Sequence, residues 1–154
     1  MTPLEALRAC PLFEGFTETG LQIFAAVATA RALPEGTPLF VEGMTGEALL
    51  VVARGEIRLS QRADAGDRDL GRLGAGEPIG GLSLLARSTR LVSAVAATDC
   101  EIVEIAQRDF TRLQAQKPQA CLKLALAIAA DLAARVADGR DALRELGVRR
   151  PAAS

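Results

Sequence analysis

The chain has 154 residues, 49% of them hydrophobic and 24% charged, with 18 Lys and Arg against 19 Asp and Glu for a net charge of -1. That is material for one domain around one core, and the near-neutral balance supplies no basic field to draw the protein to nucleic acid or an anionic membrane. Histidine, tryptophan and tyrosine are absent, which excludes imidazole bases, Ser-His and Cys-His pairs and most mixed zinc sites, and removes the stacking platforms of single-strand binders.

The three cysteines, Cys10, Cys100 and Cys121, are far apart and lack CxxC spacing. They read as buried thiols of a reducing compartment, the cytoplasm, with no metal or redox role. The uncharged run 19–30 is too short to span a bilayer and has no basic region or cleavage site beside it. Neither anchor nor signal peptide is expected.

In chain order, helical spacing predicts two short helices, 3–10 and 18–28, the second capped by Thr17 and presenting Leu21, Phe24, Ala25 and Ala28 as a core-facing stripe. The linking PLFEGF, 11–16, offers Phe13 and Phe16 to pin these helices to the rest of the chain. From 31 to 105 the texture changes to short β-prone runs punctuated by glycines, with candidate strands at 37–41, 48–53, 56–61, 69–73, 91–96 and 101–105. Arg54-Gly55 reads as a hairpin turn between two of them, and the polar stretch 61–68 as a loose loop. Many short strands with glycine turns point to a sandwich or barrel.

Within this region IGGLSLLARSTRLVSAVA, 79–96, has the parts of an anion cradle: paired glycines at Gly80 and Gly81, a short apolar turn of helix through Leu82 and Ser83, and one cation at Arg90. Glycines let backbone N–H groups approach a phosphate, and an arginine completes the charge. The same residues also suit an ordinary loop entering a core helix, with Arg90 as a surface cation paired to a carboxylate such as Glu77.

After 105 the pattern is helical to the end, with a short helix marked by Phe110 and Leu113 and a long one from Pro118 to Leu146. Leu122, Ala125, Ala129, Leu132, Val136, Gly139, Leu143 and Leu146 recur at alternating steps of three and four, the seam of a coiled coil and hence of a homodimer. A second face, Leu124, Ala127 and Ile128, would pack on the β region. A helix that only caps its own core is the competing reading for 118–132.

The order of parts resembles the cyclic nucleotide-binding domain family of catabolite-activator-type regulators, kinase regulatory subunits and gated channels. PLFEGF, LPEGTPLFVEGMTGEALLVVARGEIRLS, LGAGEPIGGLSLL and DCEIVEIAQRDFTRL carry the resemblance over nearly the whole chain. It implies a mainly β fold with flanking helices: a double-stranded β-helix, or jelly-roll-like β-roll, with short N-terminal helices and a long C-terminal one. The implied organisation is a single domain over 1–154, with N-terminal helices in 1–30, the β-roll in 31–106 holding a phosphate-binding cassette at 79–92, C-terminal helices in 107–147 and a tail in 148–154.

By that resemblance Gly80, Leu82, Ser83 and Arg90 match the cassette, with Arg90 pairing to the phosphate of cAMP or cGMP. Two positions depart. Gly81 stands where the family has a glutamate accepting from the ribose 2′-hydroxyl, and Leu91 where a small residue offers its N–H to the phosphate. The implied protein is a regulatory domain with no enzymatic activity and no cofactor, sensing a cyclic nucleotide and signalling through its dimer helix to a protein partner. The ending VRRPAAS carries no helix-turn-helix, so DNA binding is not expected. The alternative is a ligand-free interaction or scaffold module of the same fold.

Overall fold

The computed structural model describes residues 1–145, with side chains described through Gly139. It opens with α1 (Pro3–Ala9), a 3-10 turn (Pro11–Phe13) and α2 (Glu18–Ala25). Ten strands follow: β1 (Thr29–Leu33), β2 (Pro38–Phe40), β3 (Thr45–Gly46), β4 (Ala48–Arg54), β5 (Ile57–Ala63), β6 (Gly66–Leu73), β7 (Pro78–Ile79), β8 (Ser88–Thr89), β9 (Ser93–Ala96) and β10 (Cys100–Ala106). A short α3 (Leu82–Leu85) interrupts them, and α4 (Gln107–Gln116) and α5 (Pro118–Glu145) complete the described chain.

The strands form two four-stranded antiparallel sheets, ordered β1-β10-β4-β7 and β2-β9-β5-β6, with a small β3-β8 ladder beside them. Strand β4 shows why. Its run Leu49–Ala53 is buried throughout, because Leu50 and Val52 point between the sheets while Leu49, Val51 and Ala53 point outward under the helices. A continuous apolar run is what a strand covered on both faces requires. Between the sheets, Leu50 and Val52 meet Phe40, Ile57, Ala94 and Ile102. On the outer side, Leu49 and Val51 join Leu7, Phe24, Phe110, Leu124 and Ile128 in a second core of helix contacts. Each large side chain buried this way contributes about 1.5–3 kcal/mol.

Caps fix both N-terminal helices, the second at the expected Thr17. Thr2 and Glu5 form a capping box on α1, and Thr17 accepts from the Gly20 N–H at the start of α2. Phe13, Phe16 and Phe24 meet edge to face, with ring centroids 5.1 to 6.1 Å apart. Lys123 of α5 donates to the Gly15 carbonyl at 2.6 Å with its ammonium over the Phe16 ring. The long helix is thereby pinned to the N-terminal pair.

Three expectations change. Arg54-Gly55 is not a hairpin turn: β4 and β5 lie in different sheets, and Gly55, at φ +86, carries the chain from one to the other. A Cβ there would overlap the Asp99 carbonyl oxygen. The hairpin is instead β5-β6, paired from Ile57↔Leu73 to Ala63↔Gly66, so most of 61–68 is strand and the turn is only Asp64-Ala65. Residues 29–33, adjoining the expected second helix, form β1 along β10, and α2 stops at Ala25. The remaining unforeseen strands, β3, β7 and β8, have two residues each, too short for any period to register.

Candidate functional site

The cassette is held where the small ladder meets the first sheet. Strand β8 pairs with β3, Thr45↔Thr89 and Gly46↔Ser88. Arg90 comes directly after it, its N–H donating to the Met44 carbonyl and its own carbonyl accepting from the Gly43 N–H. With its backbone fixed on both sides, the side chain turns inward. Its Nη2 donates to the Ala48 carbonyl at 3.0 Å, and its Cζ stands 4.5 Å from the centroid of the Phe40 ring.

Two glycines make room for it. Gly80 sits at φ +80, where an added Cβ would overlap Nη1 of Arg90. At Gly46 a Cβ would overlap the Ser83 hydroxyl and stand 3.0 Å from Nε of Arg90. A side chain at either position would have to displace the guanidinium or the Ser83 hydroxyl, and at Gly80 the backbone conformation favours glycine as well. Sequence spacing singled out Gly80 but neither Gly46 nor Phe40.

Desolvation pulls the Arg90 guanidinium below its ordinary pKa, with the charge of Glu104 acting in the opposite direction. No carboxylate lies within 4 Å of it among the described residues. Glu77, the partner expected of a surface cation at this position, instead accepts from the Gly74 N–H. A carbonyl and an aromatic face compensate part of the lost hydration of a cation. They leave its charge unneutralised, which favours an anion in the space it faces.

That space is a cavity of about 270 Å³ between the cassette and α5. Phe40, Leu59, Leu73, Ile79 and Val92 form its apolar wall, and Ser83, Ser88, Thr89 and Arg90 its polar one. Ser83 is 2% exposed, the one polar side chain among the buried residues described. The amides of Ser83 and Leu84 donate to the Gly80 and Gly81 carbonyls, so the turn's own hydrogen bonds occupy these two donors. Leu91 borders the cavity but is 70% exposed, its bulk turned largely toward solvent, and Leu82 is also partly outward.

Helix α5 closes the far side. Ile128 packs on Gly81 so closely that a Cβ at position 81 would lie 3.1 Å from Ile128 Cγ2. One turn further on, Asp131, Leu132 and Arg135 line the cavity, and Arg135 Nε donates to Asp131 Oδ2 at 2.9 Å. Neither Asp131 nor Arg135 stands out in the sequence. An i, i+4 pair of opposite charges normally reads as a solvated helix face, and only the close Ile128–Gly81 packing reveals what it faces.

The same packing divides the expected dimer seam. Ala125 and Leu132 turn toward the core, Leu132 reaching the cavity. Leu122, Leu126 and Val136 are 59%, 61% and 67% exposed. The outward apolar stripe is therefore Leu122, Leu126, Ala129, Ala133 and Val136, again alternating steps of four and three but rotated by one residue from the expected partners 125 and 132. The side chain of Leu143, and Leu146 altogether, lie outside the described residues.

Cys10, Cys100 and Cys121 are free and buried. Burial pushes the Cys10 thiol up to about 11, so it is neutral and unreactive at physiological pH. Among the described residues no group of three or more His, Cys, Asp and Glu is placed to share a metal ion, and no helix is long and apolar enough to cross a membrane.

Glycines and a half-buried arginine thus border a cavity of the β-roll that a long helix closes. Comparison with known proteins gives its class. The family model for the cyclic nucleotide-binding domain matches residues 30–117. The chain is 34% identical over 124 residues to the cyclic AMP receptor protein of Thermus thermophilus, covering 80% of this chain and 57% of that protein. It thus spans little more than half the length of that relative. The crystal structure of Thermus thermophilus catabolite activator protein superposes with a TM-score of 0.79 at 34% identity, covering 89% of this chain and 63% of that one. The regulatory domain of Toxoplasma gondii PKA, crystallised with cAMP, superposes with a TM-score of 0.65 at 26% identity, covering 72% and 42%. The chain belongs to the cyclic nucleotide-binding domain family.

Proposed function

We propose that the cavity binds a 3′,5′-cyclic nucleotide with its phosphate against Arg90 and Ser83, and that α5 transmits occupancy to a protein partner. The observation that carries this reading is Arg90: a guanidinium partly withdrawn from water, facing a cavity, with no carboxylate within 4 Å among the described residues. A charge-assisted contact to phosphate at such a site is worth about 1.5–3 kcal/mol. The names of the Thermus and Toxoplasma proteins support cAMP as the first ligand to test, with cGMP second. The outward stripe of α5 supports a homodimer, in which one helix face would meet a second copy while the opposite face touches the cavity. The reducing compartment implied by three buried free thiols supports a cytoplasmic setting.

The test is calorimetric titration of the full chain with cAMP and cGMP, alongside Arg90→Ala. The expected result is saturable binding of one of them, weakened about ten-fold or more by the substitution. Binding that persists unchanged in the variant would remove Arg90 from the site.

One feature favours a second reading, a ligand-free interaction module: Ala48 and Phe40 already occupy two sides of the guanidinium. Silence of the wild type toward both nucleotides at millimolar concentration would select it.

A further inference from the structure

A 3′,5′-cyclic nucleotide has both the 3′ and 5′ oxygens esterified, so its sugar presents one free hydroxyl, at the 2′ carbon. Enclosing that hydroxyl requires an acceptor, because an unpaired buried donor is costly. The cassette side of this cavity has none in the form of a carboxylate. Position 81 is glycine, and the 3.1 Å approach of Ile128 to its would-be Cβ leaves a side chain there little room.

The acceptor lies on the other wall. Residues 128, 131, 132 and 135 are spaced to share one face of α5, so the contact that seats Ile128 on Gly81 also holds Asp131 over the cavity. Asp131 is the only carboxylate bordering this cavity among the described residues. Its Oδ2 is fixed by Arg135, while Oδ1 has no hydrogen-bond partner among the described residues. An ionised carboxylate only accepts. Beside a phosphate-binding arginine it suits a neutral donor and repels a second anion.

We propose that Asp131 accepts the hydrogen bond of the sugar 2′-hydroxyl, taking from the helix side the role that Gly81 leaves vacant on the cassette side. The assignment rests on the cyclic nucleotide reading above. It makes the ribose specificity of the site a property of α5, so the hydroxyl, once bound, ties the helix to the ligand. An ion pair with Arg135 that served only to stabilise the helix would not discriminate between ligands differing in that one oxygen.

The experiment titrates the full chain with cAMP and cGMP and with their 2′-deoxy counterparts, comparing wild type, Asp131→Ala and Arg135→Ala, with circular dichroism to establish that each variant is folded. For whichever nucleotide binds, wild type is expected to prefer the ribose form about ten-fold or more, the loss expected when a charged acceptor goes unused. Asp131→Ala should bind both forms equally, at the wild-type affinity for the deoxy form. Arg135→Ala, which breaks the ion pair and keeps the carboxylate, should retain the preference. A wild type indifferent to the 2′-hydroxyl, or an Asp131→Ala variant that keeps the full preference, overturns the assignment while leaving the binding site intact. Absence of binding by wild type to all four ligands overturns the site reading itself, and the role of Asp131 with it.

Discussion

Gly80 and Arg90 are a single device, since the arginine can fold inward only because the glycine has no side chain. Replacing Gly80 by alanine imposes two costs: a left-handed backbone that costs an L-residue about 1–2 kcal/mol, and overlap of the new methyl with Nη1 of Arg90. The first cost is shared by Gly15, at φ +79 with nothing within 4 Å of its would-be Cβ. The second is not. Gly15→Ala and Gly80→Ala are therefore expected to lower the melting temperature, with only Gly80→Ala also weakening nucleotide binding by about ten-fold or more, as displacement of a charged contact requires. Thermal melts and titration of the two variants check this, and equal binding by both would show that the arginine adapts without its cradle.

The residue scale also shows where sequence reading stops. Gly80, Ser83 and Arg90, which the structure places around one cavity, were legible as candidates because their spacing is local and their chemistry is distinctive. Asp131 and Phe40 were not. Their membership of the site depends on which face of α5 meets Gly81 and on which side of β2 turns inward, and neither is encoded within a short window. Gly81 gave half the answer. Its lack of a carboxylate was visible in the sequence, but the close approach of Ile128, which leaves a side chain there little room, is tertiary.

At the scale of elements, α5 carries two patterns that sequence periodicity superimposed. Leu124 and Ile128 were correctly separated as the core face, and both are buried. The seam was legible as a heptad but not in phase: Ala125 and Leu132 are claimed by the core, and Leu126 and Ala133 take their places outside. Alanine-rich helices permit this, because several phases score alike when small residues fit either side. The β region shows the same limit. A run of apolar residues placed β4 correctly, yet nothing local could reveal that β4 and β5 belong to different sheets, so Arg54-Gly55 looked like a hairpin turn.

The stripe gives the element-scale prediction. Leu126 is 61% exposed and touches neither core, so a charge there costs the isolated fold little. Across a helix pair it would be buried and unpaired. Leu126→Glu is expected to melt as wild type does when measured at low protein concentration, and to sediment as a monomer at concentrations where wild type sediments as a dimer. A variant that remains dimeric would place the interface elsewhere.

For the whole molecule, the arrangement makes the long helix a wall of the cavity without making it part of the β-roll. Helix α5 touches the outer core through Leu124 and Ile128, the cavity through Asp131, Leu132 and Arg135, and solvent through its stripe. A ligand seated between cassette and helix adds contacts to both. By mass action it stabilises the native state by about 2.7 kcal/mol at a concentration one hundred times its dissociation constant. That stabilisation reaches every amide whose exchange requires global unfolding. Amides that exchange by local opening gain protection only where the ligand bears on the opening. Hydrogen exchange with saturating nucleotide is therefore expected to slow at 128–135 and across 80–91, and to leave the turn at Asp64-Ala65 unchanged, since that tip lies at the end of the β5-β6 hairpin away from the cavity residues Leu59 and Leu73. Protection of the cassette without α5 would mean that the nucleotide binds to the roll alone. The helix would then have no means of sensing it, and transmission through its outward stripe would be excluded, because a ligand can shift only an element with which it interacts differently in its two states.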